Sequence, residues 1–383
     1  MKSTMKRSRN KSIVLIGYDE HILLSVAYSL KDQNRNLIVL TNKKHSACNF
    51  SRFVHQVVCF EEYSEILSKI RVLGSSKSIE LVIPVGENES LEVINQLKEI
   101  EKIAKVAPLT ELGMFETAID KGQLREYLTA QGLDFMPKSV KLEGIDTYNK
   151  ALELKFPVLI KPSRGSFGRG IETKINRIEL EKYLGLSNCS LKGFEAQEYV
   201  EGSLVTCNIY AREGKILVHT IQESPVKNLR DYSRNDDLTF IEDEQVFEIV
   251  SSVAKSLQWE GIACFDLIRQ KESGRIFLLE INGRFWASLA SSLTKANVNF
   301  AEYMVKDALS GSNGTVQRKN RSQVSLKTFF SNLIKLRPVS FSQTKYGYYS
   351  ADPFARLAKA MNDPFKRMLC RLQVSVKKNL SFC

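Results

Sequence analysis

The sequence predicts a doubly wound α/β unit followed by α+β lobes built on antiparallel sheets. Apolar strands alternate with amphipathic helices to about residue 110, which argues for a parallel sheet covered by helices. Beyond that point the strand-like segments come in hairpins. A glycine-rich, basic loop interrupts the first of these hairpins, and paired acidic residues close the last.

Taken in order, the run SIVLIG (12–17) is a short strand ending in glycine, and HILLSVAYSLKDQ follows with helical spacing at Ile22, Val26 and Leu30. NLIVLT predicts a second strand, SEILSKIRVLG a helix closed by Gly74, IELVIPVGE a third strand and SLEVINQLKEIEKIA another amphipathic helix. Strands apolar on both faces belong in a sheet buried on both sides. Ligands of such sheets sit beyond the carboxyl ends of the strands, which directs attention to Gly17-Tyr18-Asp19 and Pro84-Val85-Gly86-Glu87. The first turn lacks GxGxxG, so a dinucleotide is not the expected occupant; plain turn residues are the alternative reading.

GMFETAIDKGQLREYLTAQGLDF (113–135) reads as a helical linker and a helix bounded by glycines. KPSRGSFGRG (161–170) lies between the strand-like FPVLI and IETKI, making a long hairpin loop with three glycines and the cations Lys161, Arg164 and Arg169. Glycines let backbone amides approach phosphate oxygens closely, and the cations add charge. GxxxxGK[ST] is absent and a strand follows, so this is not a P-loop.

LVTCNIYARE-GK-ILVHTIQES reads as a hairpin through Gly214, followed by a helix at 243–258. GIACFDLIRQKESGRIFLLEIN is then a second hairpin with KESG as its turn. Folding it about Ser273 sets Asp266 opposite Glu280, while Glu280 and Asn282, two apart, share one strand face. Carboxylates directly across a sheet repel, an arrangement that suits a hard divalent cation between them. A solvated polar strand face, or a turn shifted by one that separates the pair, is the alternative.

The 383 residues exceed one ordinary core and predict two or three domains. A net charge of +12 favours anionic partners, or serves solubility alone. The seven cysteines are scattered without CxxC spacing and several sit in apolar runs, so free buried thiols in a reducing compartment are expected. The four histidines form no ligand pair, leaving zinc or Ser-His hydrolase chemistry nothing to build on. No apolar run reaches the roughly 18 residues of a membrane span, and SIVLIG is too short for a signal peptide, so a cytoplasmic location is expected. The basic stretch 352–380 alternates apolar residues with Arg and Lys: it reads as a surface for peripheral membrane contact or as a helix packed on the body. Nucleic acid is not expected, because aromatic and basic residues do not interleave as a stacking platform.

The ordered set DKGQLREYL, FPVLIKPSRGSFGRG, QEYVEG, FDLI and LLEINGRFW resembles the ATP-grasp superfamily. Within it, the likeness is to the carboxylate–amine ligase branch near carbamoyl phosphate synthase and the predicted ATP-grasp carboligases, over roughly residues 12–312. The resemblance implies a Rossmann-like pre-ATP-grasp domain (1–112), a two-lobed ATP-grasp fold (small lobe 113–194, large lobe 195–312) and a basic extension (313–383). It implies that Lys121 and Lys161 hold ATP phosphates beneath a loop carrying Gly165, Ser166, Gly168 and Gly170. Gln197, Glu198, Tyr199 and Val200 match the hinge, where the backbone of Gln197 and Val200 would bond the adenine edge. Asp266, Glu280 and Asn282 match magnesium ligands, with manganese as a substitute, and Arg284 matches the arginine that steadies the acceptor and the charged intermediate. Lys161 and Arg284 are thus the implied catalytic residues, while Trp286 reads as a packing residue, with substrate stacking as the alternative. Leu204 stands where many relatives bond the ribose through a glutamate, and Glu201 is the candidate substitute. The basic 222–236 stretch, with Lys227, Arg230 and Arg234, falls where relatives bind the acceptor. The implied reaction joins a small carboxylate, activated as an acyl phosphate, to an amine with release of ADP and phosphate. An ATP-grasp kinase, a bicarbonate-using carboxylase and a non-catalytic membrane-associated ATP-binding module are the alternatives, and a homo-oligomer stays open.

Overall fold

In the computed structural model, which describes residues 11–165, 170–186, 191–224, 237–311 and 317–361, the alternating N-terminal segments form a five-stranded parallel sheet. Its elements run β1 (Lys11–Ile16), α1 (Glu20–Ser29), β2 (Asn36–Thr41), β3 (Gln56–Cys59), α2 (Ile66–Ser76), β4 (Ser78–Pro84), α3 (Glu87–Asn95), α4 (Leu97–Glu101) and β5 (Lys105–Val106). Period-two alternation explains the double burial: Ile13 and Leu15 enter the apolar cluster on one side of β1, Val14 and Ile16 the cluster on the other. The strand order β3-β2-β1-β4-β5 reverses direction between β1 and β4, opening a crevice beyond their carboxyl ends. Asp19 starts α1 there by accepting from the backbone N of His21 at 2.8 Å, and Gly86 precedes α3, whose first residue is Glu87.

Next come α5 (Leu112–Ile119), α6 (Lys121–Ala130), β6 (Ser139–Lys141), α7 (Ile145–Ala151), β7 (Val158–Pro162), β8 (Glu172–Lys174), α8 (Arg177–Leu186) and β9 (Phe194–Glu198). The four strands form a small antiparallel sheet ordered β6-β9-β7-β8. The apolar faces of α5 and α6 do not join this lobe: Phe115, Ala118, Leu124 and Leu128 pack into the core of the large sheet, where Phe115 stacks on Trp259 at 5.7 Å. Residues 112–130 therefore pack against the large sheet, where their apolar stripes find their buried partners.

The large sheet is built from β10 (Gly202–Arg212), β11 (Lys215–Ser224), β12 (Leu238–Ile241), β13 (Gly261–Gln270) and β14 (Ile276–Asn282), with α9 (Glu244–Ser256) after β12. Glu213 and Gly214 adopt φ of 50° and 73°, the left-handed pair that a two-residue hairpin turn requires. After α10 (Leu289–Thr294) and α11 (Phe300–Ser310), β15 (Ser322–Gln323) adds a sixth strand, so the C-terminal extension is sewn into the large sheet. α12 (Leu326–Ile334), α13 (Tyr346–Tyr349) and a helical stretch over 353–361 follow. This arm returns to the N-terminal domain: Tyr348 packs on Tyr28 at 5.6 Å between ring centroids, and Asp352 accepts from Ser51 Oγ at 2.5 Å. Residues 362–380 of the basic tail lie outside the described residues. Among the described residues, no helix is long and apolar enough to cross a membrane.

Candidate active site

The acidic pair owes its position to a bulge. Near the turn, β13 and β14 pair Arg269 with Ile276, Ile268 with Phe277 and Leu267 with Leu278. The register then slips by one, so that Asp266 faces Glu280, Phe265 faces Ile281 and Cys264 faces Asn282. Leu279 is the extra residue. Without the slip it would stand opposite Asp266, and Glu280 would turn toward the core. With it, Ile276, Leu278 and Ile281 all enter the apolar cluster beneath the sheet, while Glu280 and Asn282 emerge on the face of Asp266.

On that face Thr206 of β10 donates Oγ1 to Asp266 Oδ1 at 3.1 Å. Asn282 donates Nδ2 to Asp266 Oδ2 at 3.0 Å and to Glu280 Oε1 at 3.3 Å. Lys121, at the start of α6 behind its cap Asp120, places Nζ 2.8 Å from Glu280 Oε2 and donates to the Gly165 carbonyl at 3.1 Å. It therefore bridges the glycine loop of the small sheet and the carboxylates of the large one. Arg284 donates Nη2 to Asn282 Oδ1 and Nη1 to the Phe285 carbonyl, both at 2.9 Å. Its Nε stands 3.7 Å from Glu87 Oε1, at the crevice of the N-terminal sheet, so all three sheets border the site.

Lys161 stands opposite Glu195 in the β7–β9 register. It donates Nζ to Gln197 Oε1 at 2.6 Å and makes a charge contact with Glu195 Oε1 at 3.1 Å. The other oxygen of Glu195 accepts from Arg125 Nη1 at 2.6 Å and from Ser139 Oγ at 3.1 Å. Burial would raise the Glu195 carboxyl, but Lys161 and Arg125 outweigh it and hold the group below its usual value. Burial pulls Lys161 down, against the pull of Glu195.

At the acidic pair, burial and then the charge of Glu280 push Asp266 up to about 7. Burial would raise Glu280 as well, but Lys121 outweighs it and holds Glu280 low. Among the described residues one ammonium in contact, that of Lys121 on Glu280, thus faces two half-buried carboxylates, a shortfall of positive charge at the pair. That deficit and the oxygen donors fit a hard divalent cation such as magnesium. Among the described residues no three His, Cys, Asp or Glu side chains converge, so the donors are two carboxylates and the Asn282 amide. As placed, Asn282 turns its amide nitrogen, not its oxygen, toward the carboxylates.

Gly165 and Gly170 take φ of 139° and 76°, conformations that favour glycine, at the two described ends of the loop; Ser166 and Gly168 lie outside the described residues, as do Lys227, Arg230 and Arg234. Gln197 sits inside β9, in register with Ser139 on one side and Leu159 on the other, so its backbone belongs to the sheet and its side chain serves Lys161. Glu198 Oε1 accepts from the Lys155 backbone N, and the Tyr199 backbone N donates to the Pro157 carbonyl, both at 2.9 Å. Val200 follows β9 in the connection to the large sheet. Leu204 is exposed on β10, whereas Glu201 pairs with Lys271 at 3.0 Å. Trp286 is buried, edge-on to Phe300 at 4.7 Å, which is a packing position. The sequence reading passed over Glu195, Arg125, Ser139 and Thr206. Of these only Glu195 left a trace, since it shares a strand face with Gln197 two residues on.

A small antiparallel sheet carrying a glycine loop, set against a larger sheet with an acidic pair and preceded by a doubly wound sheet, defines the ATP-grasp class of fold. The family model described as "ATP-grasp domain" matches residues 118–288, and this segment of the chain belongs to that family. A curated relative, D-alanine–D-alanine ligase of Prochlorococcus marinus (strain AS9601), is 31 % identical over 173 residues, covering 41 % of this chain and 46 % of the relative. The match therefore spans less than half of that relative's length. L-amino acid ligase from Bacillus licheniformis superposes with a TM-score of 0.61 at 16 % identity, over 79 % of this chain and 75 % of that one. N5-carboxyaminoimidazole synthetase from Staphylococcus aureus, complexed with ADP, gives 0.63 at 16 % identity over 81 % and 80 %. Biotin carboxylase from Campylobacter jejuni gives 0.64 at 16 % identity over 82 % and 74 %. At such identities the likeness is one of fold.

Proposed function

We propose that this protein is an ATP-dependent carboxylate–amine ligase, with ATP and magnesium (manganese as substitute) held between a small lobe and a large lobe. The observation that carries the reading is the convergence of Lys121, Lys161, Gly165 and the facing pair Asp266 and Glu280 on one site. The sequence match to D-alanine–D-alanine ligase supports an amine as the acceptor class. We assign residues 1–112 to the pre-ATP-grasp domain, 113–194 and 195–312 to the two lobes in chain order, and 313–383 to the extension, with 112–130 packed on the large sheet.

Lys121 and Lys161 neutralise phosphate charge, and the glycines from 165 to 170 allow backbone amides close to the same oxygens. Asp266 and Glu280 would hold magnesium, with Asn282 joining them once its amide turns to present the oxygen that now accepts from Arg284, and the ion would supply Lewis-acid stabilisation of phosphoryl charge. The substrate carboxylate attacks the γ-phosphorus, the acyl phosphate forms and ADP leaves. The amine then attacks the acyl carbon, the C–O bond to phosphate breaks, and the amine proton passes to solvent or phosphate. Arg284, held by Asn282 and faced by Glu87, orients the carboxylate and stabilises the tetrahedral oxyanion. Glu195 and Gln197 fix the Lys161 ammonium, a positioning role. No side chain is required as a nucleophile. The acting compartment we assign is the cytoplasm, and the partners are small molecules.

A screen of paired amino acids and small carboxylates for ADP release, with mass detection of the product, tests the proposal. The expected result is ADP release that requires both substrates and yields their condensed mass. A phosphorylated single substrate would identify a kinase, and release requiring bicarbonate would identify a carboxylase, the second reading that the biotin carboxylase and N5-carboxyaminoimidazole synthetase likenesses support.

A further inference from the structure

A cavity of about 420 Å³ lies apart from the acidic pair, between α1, the end of α10 and the C-terminal arm. Tyr28, Lys295, Arg321, Ser322, Ser342 and Tyr348 are among its lining residues. Two are cations, and none of the residues lining the cavity is acidic. Lys295 is 8 % exposed and donates Nζ to the Ser342 carbonyl, a neutral acceptor that leaves its charge uncompensated. Among the described residues neither Lys295 nor Arg321 forms an ion pair. Burial, and then the charge of Arg321, lowers the Lys295 ammonium from its ordinary value. Two like charges sharing a cavity cost free energy that a bound anion recovers, and a guanidinium beside an ammonium matches the paired oxygens of a phosphate.

The remaining wall mixes polar and apolar surface and includes Ser322, Ser342, Thr294 and Tyr28. The volume falls in the range of small-molecule sites, about 300–1,000 Å³, and exceeds what an inorganic ion alone needs. The cavity also has a structural address. Lys295 ends α10, a six-residue helix that begins just past the loop carrying Arg284, so an occupant sits one short helix from the candidate active site.

We propose that this cavity is a second ligand site, built for a small phosphorylated molecule held by Arg321 and Lys295 and distinct from the nucleotide site. Titration calorimetry of the full chain with glycerol 3-phosphate as probe tests it, with succinate as the carboxylate arm. The Lys121→Ala variant serves as the background in which the proposed nucleotide site is impaired. Expected is binding of glycerol 3-phosphate in both the wild type and Lys121→Ala, weakened at least tenfold by Arg321→Ala and by Lys295→Met. Arg321 is exposed, so its truncation leaves the fold intact even if the buried Lys295→Met change does not. Absence of binding in the wild type, affinity unchanged in Arg321→Ala, or binding lost in Lys121→Ala alone would each overturn the proposal. Succinate binding as tightly as the phosphate would overturn its phosphate selectivity.

Discussion

Glu195 is fully buried between Lys161 and Arg125, and Glu195→Gln tests whether it sets the state of Lys161. The substitution keeps shape and volume but leaves two cations facing a neutral amide. Removing one member of a buried pair costs about 3–5 kcal/mol, because the remaining charge stays desolvated. The sign with pH follows from the lowered carboxyl: its contribution is fully present above the unfolded value of 4.5 and fades as pH falls through the folded one. Urea denaturation of wild type and variant should therefore show a gap of about 3–5 kcal/mol at pH 7 that closes under acid. Lys161, already pulled down by burial, loses the charge that opposes this, so its ammonium is a weaker phosphate ligand at pH 7. Loss of one charged hydrogen bond, about 1.5–3 kcal/mol, raises KM for ATP roughly 10–150-fold. A gap below about 1 kcal/mol at pH 7, or a KM for ATP equal to that of the wild type, would refute the reasoning.

Glu280→Gln removes the negative charge of one of two facing carboxylates and should lower kcat/KM by about a thousandfold or more, read as ADP release. Thr206→Val, which deletes only the hydroxyl on Asp266, should raise the magnesium concentration for half-maximal activity by about 10–100-fold with little change in stability. Glu89 is buried and its carboxyl is raised from 4.5 to about 7, chiefly by burial. The unfolded chain ionises first, so stability falls as pH rises from about 4.5 to about 7 and is then level; Glu89→Gln should abolish that fall, about 3 kcal/mol in urea titrations at pH 4 and 8. Chelation of magnesium should weaken ADP binding at least tenfold in calorimetry, and equal affinity with and without the ion would count against the site.

The N-terminal sheet was legible because Ile13, Val14, Leu15 and Ile16 are apolar at every position, a pattern that only a doubly covered strand requires. The pairing of Asp266 with Glu280 was legible from turn geometry, but the bulge that produces it was not. In IFLLEIN the residues before Glu280 are all apolar, so alternation gives no mark where the register slips. Glu195 reads locally as an exposed charge in FEAQEYV; its burial is decided by Arg125, 70 residues earlier, and by Lys161 across the sheet. The meeting of Glu87 with Arg284 joins two domains and is likewise absent from any local window. The packing of 112–130 was hidden for the same reason: a helical stripe shows that a face is buried, not which sheet buries it.

The two lysines explain why a cation should matter to nucleotide binding. Each rests on a glutamate, but the two glutamates differ. Glu195 keeps Arg125 when Lys161 turns to a phosphate, so that exchange leaves no bare buried charge. Glu280 has Lys121 as the cation in contact with it, and it already faces Asp266, which burial and then the charge of Glu280 push up to about 7. Moving Lys121 onto a phosphate would take from the half-buried pair its contacting ammonium and leave two facing carboxylates to repel, with Arg284 and Lys161 acting on them from farther off. Lys121 is free to move when a divalent ion takes its place on Glu280, so the two lysines should differ in how strongly their phosphate contacts depend on magnesium.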